Sequence, residues 1–300
     1  MAETEPAENI TAGGNVETTP LRRSLLFVPG ADAHKLERAR EAGADALILD
    51  LEDSVAVEKK VDARRLVADA LRARAFADTE AAVRINPPGT EHFAADLEAI
   101  REAGGRMLML SKCESPTQIA EVAAMLRDAK LLLLVETPRG VVNATAIIQA
   151  SRSVEGICFG PADFSLAMGL AGTDASRGIA YHARCDLVIA AKACGVAAID
   201  SVYLSVKDEA GFREDARLGA SLGYEGKLCI HPRQVEIANA VYTPEPAAID
   251  TARRVVEAWE QAKKEGRGVF SLDGKMIDEP VVASHRRILQ RARRAGVRRD

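Results

Sequence analysis

The chain has 300 residues, of which 47% are hydrophobic, and 40 basic against 44 acidic residues give a formal net charge of −4. This length fits one α/β barrel, which needs about 250 residues, together with terminal extensions. The balanced charge argues against a nucleic-acid partner, because there is no basic excess to attract a polyanion. No apolar run reaches the length of a membrane span, so we expect no membrane partner either.

The cysteine pattern and the N-terminal residues predict where in the cell the protein is located. The sequence contains 5 cysteines, an odd number without C-x-x-C spacing, and this predicts neither a disulfide framework nor a zinc site. Reduced thiols are typical of a cytoplasmic protein, which is the location we expect. Residues 1–20 are acidic and polar and lack the apolar region of a signal peptide, so they predict a disordered tail.

Short apolar runs alternate with helical stretches along most of the chain. The eight runs are Ser24–Pro29, Ala46–Asp53, Ala81–Asn86, Met107–Lys112, Leu131–Thr137, Val154–Gly160, Ala197–Leu204 and Lys227–His231. Several are apolar without alternation, as expected for strands that are buried on both faces. The repeated alternation predicts an α/β fold, a (β/α)8 TIM barrel over residues 21–245. An open doubly wound sheet is the alternative, but no G-x-G-x-x-G follows the first run. Residues 246–300 predict C-terminal helices that form an arm or lid.

Polar side chains follow nearly every run, at the strand ends where TIM barrels place their active sites. They are Asp50, Glu52, Asp53, Arg84, Asn86, Lys112, Glu114, Glu136, Asp163, Asp200 and His231. Such a ring on a predicted barrel indicates an enzyme. Glu136 and Asp163 end neighbouring strands, and paired carboxylates suit Mg²⁺, a hard cation that prefers oxygen ligands. The alternative is that each is a solvated loop acid or a helix N-cap.

Three other strand-end residues, Arg84, Lys112 and His231, could each have either a functional or a structural role. Arg84 could hold a substrate carboxylate through two parallel hydrogen bonds, or it could form a structural ion pair with Asp50 or Asp53. Lys112 could be a Schiff-base lysine, although a charge partner for a neighbouring glutamate is the more common role of a rim lysine. His231 could donate a proton or contact a phosphate, but a strand-end histidine that hydrogen-bonds to the backbone is the favoured interpretation.

Several motifs resemble those of the citrate lyase beta-subunit-like CoA-ester lyases, in the phosphoenolpyruvate/pyruvate barrel superfamily. The matching stretches are RSLLFVPG (23–30), GADALILDLEDSV (43–55), VRINPPGT (83–90), LLLVETPRGVVNA (132–144), CFGPADFSLAMG (158–169), AIDSVYLSVKDEAGF (198–212), GYEGKLCIHPRQ (223–234) and GVFSLDGKMIDEPVV (268–282). They cover nearly the whole predicted barrel and the arm.

The resemblance implies a Mg²⁺-dependent lyase that cleaves or forms a 3-hydroxyacyl-CoA thioester. Glu136 and Asp163 look like the metal ligands, and Arg84 looks like the residue that holds the oxo-acid carboxylate. Arg23 is implied as a second anchor near the pocket. Asp278 resembles an acidic residue that such enzymes deliver into a neighbouring subunit as the general acid or base, within a homotrimer or a hexamer.

Glu52, Asp53 and Lys112 complete the predicted substrate-binding set beside these residues. Ser111-Lys112-Cys113 stands where the family usually shows Pro-Lys-Val, and GPADF varies a pattern that often has an acid before the aspartate. Neither change removes a proposed ligand, but both leave the substrate open among malyl-CoA, citramalyl-CoA and citryl-CoA. Two alternatives are a citrate lyase beta-type subunit that acts on a carrier-bound thioester and a class II aldolase that acts on free 2-oxo acids.

Overall fold

The computed structural model describes residues 20–126 and 128–297, so the predicted N-terminal tail lies outside the described residues except for Pro20. Eight parallel strands close into a barrel, in which the first strand pairs with both the second and the eighth. They are β1 (Ser24–Pro29), β2 (Ala46–Asp50), β3 (Glu80–Ile85), β4 (Met107–Leu110), β5 (Lys130–Val135), β6 (Val154–Phe159), β7 (Ala197–Asp200) and β8 (Gly226–Cys229). The predicted TIM barrel is confirmed.

Helices follow the strands and surround the barrel. They are α1 (Ala33–Arg38), α2 (Lys60–Arg72), α3 (Phe93–Glu102), α4 (Pro116–Met125), α5 (Pro138–Val142), α6 (Ala144–Gln149), α7 (Pro161–Ala167), α8 (Gly178–Cys194), α9 (Glu209–Leu222) and α10 (Pro232–Val241). Two 3₁₀ turns, Ala39–Ala42 and Val57–Lys59, precede β2 and α2. No helix in the described part of the chain is long and apolar enough to cross a membrane.

The strands bury both faces, because alternate side chains point into the barrel and out toward the helices. Ile48 of β2, Met109 of β4 and Leu134 of β5 belong to the inner cluster, whereas Leu47 and Leu133 belong to the larger outer core. The same alternation continues into the strand ends and decides which of the polar groups there can reach the barrel mouth.

Asp200, which ends β7, points outward and lies in a buried charge network instead of the barrel mouth. Its carboxylate accepts hydrogen bonds from Arg184 Nε at 2.8 Å and from Lys227 Nζ at 2.9 Å. Asp215 of α9 pairs with Arg184 Nη1 at 2.8 Å, and it pairs with Lys227 Nζ at 2.5 Å. Arg184 and Lys227 are both fully buried. Burial opposes ionisation of Asp200, but the charges of Lys227 and Arg184 hold its pKa below the usual range. The sequence-based placement of Asp200 beside the active site is therefore wrong.

Removing Arg184 should destabilise the protein strongly. In Arg184→Met the partners Asp200 and Asp215 keep their charge but lose a fully buried cation, and such a loss costs roughly 3–5 kcal/mol. Urea unfolding of the purified protein measures the change. Arg177→Met is the matched control, because Arg177 is exposed and its ion pair with Asp174 is worth about 1 kcal/mol or less. Equal effects of the two substitutions would contradict the assignment of the network as a stabilising element.

A C-terminal arm follows the barrel. It consists of α11 (Pro246–Lys264), the hairpin β9 (Phe270–Leu272) and β10 (Lys275–Ile277), and α12 (Glu279–Arg294). A small separate core holds it together, made of Val255, Trp259, Ile277 and Val282. Arg291 donates to the carbonyls of Tyr242, at 2.9 Å, and of Glu225, which precedes β8. The end of α12 is therefore fastened to the barrel at the amino-terminal ends of the strands.

Candidate active site

A cavity of about 400 Å³ lies at the carboxyl ends of the barrel strands. Its walls come from β1, β2, β3, β5, β6 and β8, from loops that follow the strands, and from the first turn of α7. They include Phe27, Pro29, Asp50, Asp53, Ser54, Arg84, Leu134, Glu136, Gly160, Asp163, Val202 and Ile230. Four carboxylates and one arginine thus border the same cavity, in the position where TIM barrels hold their active sites.

Glu136 and Asp163 both line this cavity, as the sequence predicted. Glu136 directly follows β5 and is only 3% exposed. Asp163 lies half-buried in the first turn of α7. Burial and the charge of Glu52 raise the pKa of Glu136 to about 8, and the charge of Asp163 contributes in the same direction. Part of this rise comes from repulsion by the carboxylates of Glu52 and Asp163, which a cation bound between these groups would relieve.

The surroundings of Glu136 leave room for its carboxylate and little else. A Cβ atom at Gly160 would lie 2.6 Å from Glu136 Cβ and 2.7 Å from Glu136 Oε2, so no larger residue fits there without displacing the carboxylate. On the other side, the backbone N–H of Lys112 donates to Glu136 Oε1 at 2.8 Å. Within the described residues, no group of three or more His, Cys, Asp or Glu side chains surrounds a common point. A pair of carboxylates fits a hard cation that keeps water and substrate oxygens in its other positions.

Arg84 lines the cavity, but its guanidinium is already held by carboxylates of its own chain. Nε and Nη2 donate to the two oxygens of Asp50 at 2.7 and 2.6 Å, a bidentate pair. Nη1 lies 3.0 Å from Glu52 Oε2 and 3.5 Å from Asp53 Oδ2, and the guanidinium stacks 4.8 Å from the ring centre of Phe27. Despite burial, Arg84 holds the pKa of Asp50 below its usual range. Of the two interpretations, the structural ion pair is present. Nη1 has longer contacts than Nε and Nη2, at 3.0 and 3.5 Å against 2.7 and 2.6 Å.

Glu52 is buried behind Arg84 and connects it to Lys112. Its Oε1 accepts from Ser111 Oγ at 2.8 Å and from Lys112 Nζ at 3.2 Å. Burial raises the pKa of Glu52. Partial burial opposes protonation of Lys112, but the charge of Glu52 raises the pKa of that ammonium above its usual value. A lysine held protonated is in the wrong state for an amine nucleophile, so the geometry favours the charge-partner interpretation over a Schiff base.

Lys60 is a buried residue that sequence reasoning missed. Its ammonium donates to the carbonyls of Leu51 and Glu52 at 2.9 and 3.0 Å and to Asn86 Oδ1 at 2.7 Å. It therefore fixes the loop that carries Glu52 and Asp53. The signal was present in the sequence as a single lysine in the first turn of an otherwise ordinary amphipathic helix, which does not distinguish it from a solvated one.

Glu52 and Lys112 contact lining residues without bordering the cavity, and three other predicted residues lie away from it. Arg23 precedes β1, at the amino-terminal end of the barrel, where its guanidinium donates to Asp45 and Thr243. Its expected role as an anchor near the pocket is corrected, because that end is opposite the cavity. His231 is the N-cap of α10, and its Nδ1 accepts from the N–H of Arg233, as in the backbone-satisfied interpretation. Asp278 is the N-cap of α12 and does not border the cavity of its own chain.

A second cavity of about 590 Å³ adjoins the first and shares Pro161, Ala162 and Val202 with it. Its other walls come from the loop before α8, the loop after β7 and the side of α9. They carry hydroxyl and carboxylate groups and apolar side chains, but no lysine or arginine. Such walls suit the uncharged amide and hydroxyl groups of a ligand better than its phosphates, because phosphates are commonly bound by lysine and arginine side chains.

A closed parallel barrel with a cavity at the carboxyl ends of its strands is the architecture of a TIM-barrel enzyme. In this cavity the carboxylates supply several oxygen atoms that could bind a cation. The HpcH/HpaI aldolase/citrate lyase family matches residues 23–232 of this chain. The chain belongs to this family, and it is accordingly a lyase.

Two curated relatives are similar over nearly their whole length. Citrate lyase subunit beta of Escherichia coli K12 is 37% identical over 302 residues, which cover 97% of this chain and 100% of that protein. (3S)-malyl-CoA thioesterase of Cereibacter sphaeroides KD131 is 38% identical over 271 residues, which cover 90% of this chain and 94% of that one.

A solved structure is similar in both sequence and fold. Protein CitE from Mycobacterium tuberculosis, in complex with magnesium, acetoacetate and coenzyme A, is 34% identical. It superposes with a TM-score of 0.79, covering 92% of this chain and 99% of that one.

Proposed function

We propose that the protein is a Mg²⁺-dependent carbon–carbon lyase that acts on a 3-hydroxyacyl-CoA thioester. Malyl-CoA, citramalyl-CoA and citryl-CoA are the candidate substrates, cleaved to acetyl-CoA or propionyl-CoA and a 2-oxo acid, or formed from them. The observation that carries the proposal is the pair Glu136 and Asp163 in one cavity with Arg84. A cytoplasmic location is proposed from the cysteine pattern alone.

Glu136 and Asp163 are the proposed ligands of Mg²⁺, which matches the magnesium complex of the M. tuberculosis relative. When bound, the ion supplies Lewis-acid stabilisation of negative charge on the substrate oxygens. The chain contributes the two carboxylates, with Glu136 already clamped on one oxygen by the N–H of Lys112. It also contributes a buried wall that excludes bulk water around Glu136.

Arg84 is proposed to orient the carboxylate of the 2-oxo-acid portion. Asp50 fixes the plane of the guanidinium through Nε and Nη2, which leaves Nη1, 3.0 Å from Glu52 Oε2, as the nitrogen that would bind the substrate carboxylate. Asp53 is more than half exposed and lies 3.5 Å from Nη1, a long contact that an incoming carboxylate can replace. Glu52 and Lys112 do not border the cavity themselves, so they would act on the bound acid through Arg84 and Glu136, which they contact.

Asp278 is proposed as the general acid or base that transfers the proton at the α-carbon of the thioester, in a neighbouring subunit. Its absence from the cavity walls of its own chain supports a contribution in trans. Val269, just before the hairpin, and Met276, in β10, are 53% and 68% exposed, and contact with another copy would bury these apolar side chains. A homotrimer, or a hexamer built from trimers, would provide that copy.

The second cavity is proposed to receive the neutral amide-and-hydroxyl arm of the thioester. It shares the wall residues Pro161, Ala162 and Val202 with the cavity that holds Glu136 and Asp163. Because its walls carry no cation, we place the phosphates of CoA outside it. The same arm links a substrate to an acyl-carrier protein, so the alternative of a citrate lyase beta-type subunit retains support. The E. coli relative, which matches 97% of the chain, is such a subunit.

A turnover assay read by mass spectrometry tests the proposed function. Malyl-CoA, citramalyl-CoA and citryl-CoA are offered separately, each with Mg²⁺ and with EDTA. Mg²⁺-dependent release of acetyl-CoA together with a 2-oxo acid from one of them is the expected result. Release of free CoA and the intact hydroxy acid would indicate a thioesterase instead. If folded protein turns over none of the three, the carrier-bound thioester or the free 2-oxo acids of a class II aldolase become the better candidates.

The stabilisation of the protein by Mg²⁺ should increase with pH. Burial raises the pKa of Glu136 from its ordinary value of 4.5 to about 8. In the metal-free protein its contribution to stability is complete below 4.5 and is lost as pH rises through about 8, because the folded state binds the proton more tightly. Mg²⁺ binds the ionised form, so the rise in melting temperature on adding Mg²⁺ should be larger at about pH 8.5 than at about pH 6. In Glu136→Gln this pH dependence should disappear; a wild-type response that falls with pH would contradict the assignment.

A further inference from the structure

The turn after β4 contains a strained residue that contacts Glu136, one of the residues that line the 400 Å³ cavity. Lys112 has a positive φ of 52°, in the left-handed region that residues with a Cβ rarely adopt. Its neighbours Ser111 and Cys113 are fully buried. The other non-glycine residues with positive φ in the described part of the chain, Arg74 and Asp273, lie in exposed surface turns. Lys112 is thus strained where the protein is tightly packed.

The left-handed conformation directs two successive N–H groups toward the same neighbour. The N–H of Lys112 donates to Glu136 Oε1 at 2.8 Å, and the N–H of Cys113 donates to the carbonyl of Leu134 at 3.3 Å. Both acceptors belong to β5 or to the residue after it. In an extended strand, consecutive N–H groups point to opposite sides, so this arrangement requires the chain to leave the strand conformation at Lys112.

The side chain of Lys112 has a different partner from its backbone. Its ammonium lies 3.2 Å from Glu52 Oε1, and the hydrogen bond that Glu136 receives from this residue comes from the main chain. The carbonyl of Lys112 accepts from Gln118 Nε2 at 3.3 Å, which fixes the turn from the α4 side. The backbone and the ammonium of one residue therefore hold two different glutamates.

We propose that the main-chain amide of Lys112, directed by its left-handed backbone, is the positioning group for Glu136 as a metal ligand. It clamps Oε1 and leaves Oε2, which lies against Gly160, free to face a cation. This inference rests on the proposed function, because it assumes that Glu136 binds a divalent cation. It assigns the effect to the backbone and makes the ammonium unnecessary for metal binding.

Two variants that both lack the ammonium separate the backbone from the side chain. Lys112→Gly accepts the left-handed conformation without strain, whereas Lys112→Val is β-branched and disfavours it strongly. Mn²⁺, used in place of Mg²⁺, is titrated into each protein, and the free ion is measured by electron paramagnetic resonance. We expect Lys112→Gly to bind Mn²⁺ within about threefold of wild type and Lys112→Val to bind at least about tenfold more weakly, as when the support of a metal ligand is removed.

Arg74→Gly and Arg74→Val are the matched controls, because they impose the same backbone contrast at an exposed turn away from the cavity. They should differ in melting temperature and not in Mn²⁺ affinity. If Lys112→Val fails to fold, Lys112→Ala gives a milder form of the same contrast. Equal Mn²⁺ affinities of Lys112→Gly and Lys112→Val, whether both retained or both lost, would overturn the inference. No Mn²⁺ binding by wild type would instead overturn the proposed metal site, and this inference with it.

Discussion

Replacing Glu136 by glutamine is expected to lower turnover of the thioester by at least about a thousandfold and to abolish its dependence on Mg²⁺, because Lewis-acid stabilisation is worth several kcal/mol. Glutamine keeps the size of the side chain in a space that Gly160 has left just large enough. The backbone of Lys112 can still donate to its amide oxygen. The change therefore removes charge with little change in packing, and steady-state kinetics over a range of Mg²⁺ concentrations measures the effect.

The fold of this variant should be unharmed. Because burial raises the pKa of Glu136, a neutral side chain costs nothing there, and we expect the metal-free variant to melt at or above the temperature of the metal-free wild type. Glu58→Gln is a suitable control, since Glu58 is exposed in the turn before α2. Normal Mg²⁺ dependence in Glu136→Gln would remove Glu136 from the metal site.

Asp278→Asn should lose about a hundredfold to ten-thousandfold in turnover, the usual range for a general acid or base, while Mg²⁺ binding is retained. Asn is an equally good N-cap, so the hydrogen bond from the N–H of Val281, now 3.2 Å from Asp278 Oδ1, should survive. A structural role at the start of α12 therefore predicts almost no effect, whereas proton transfer predicts a large one. The measurement is kcat together with Mn²⁺ affinity.

Mixing two inactive variants tests whether Asp278 acts across subunits. Glu136→Gln and Asp278→Asn proteins are dissociated, combined in equal amounts and allowed to reassemble. In a ring where each site takes Asp278 from one neighbour, about one site in four regains both groups. Recovery of activity supports the contribution in trans. No recovery in a verified mixed oligomer, or a protein that sediments as a monomer, would contradict it.

The local pattern of apolar and polar residues in the sequence was sufficient to predict the barrel and part of the candidate site. All eight apolar runs became strands, although several strands end two to four residues earlier than predicted, because the polar residues after them turn into loops. Strand parity also predicts which way the polar residue at each strand end points. Ile48 and Leu134 face inward, so Asp50 and Glu136, two residues later, face the mouth. By the same rule Ile199 faces inward and Asp200 must face outward.

The tertiary structure alone decided which charges are partners and which end of the barrel they occupy. Arg23 and Arg84 both stand beside apolar strand residues in the sequence, yet one lies at the amino end with Asp45 and the other at the mouth with Asp50. Sequence distance does not encode such pairings, because they form between residues that only barrel closure brings together. The hydrogen bond from Lys112 to Glu136 comes from a backbone N–H, a group that nearly every residue carries, so the residue type does not predict it. The contacts of Lys60 depend on its burial, which the composition of the sequence does not reveal. The sequence by itself therefore determined the barrel and its acidic mouth, and three-dimensional packing determined how those acids are held.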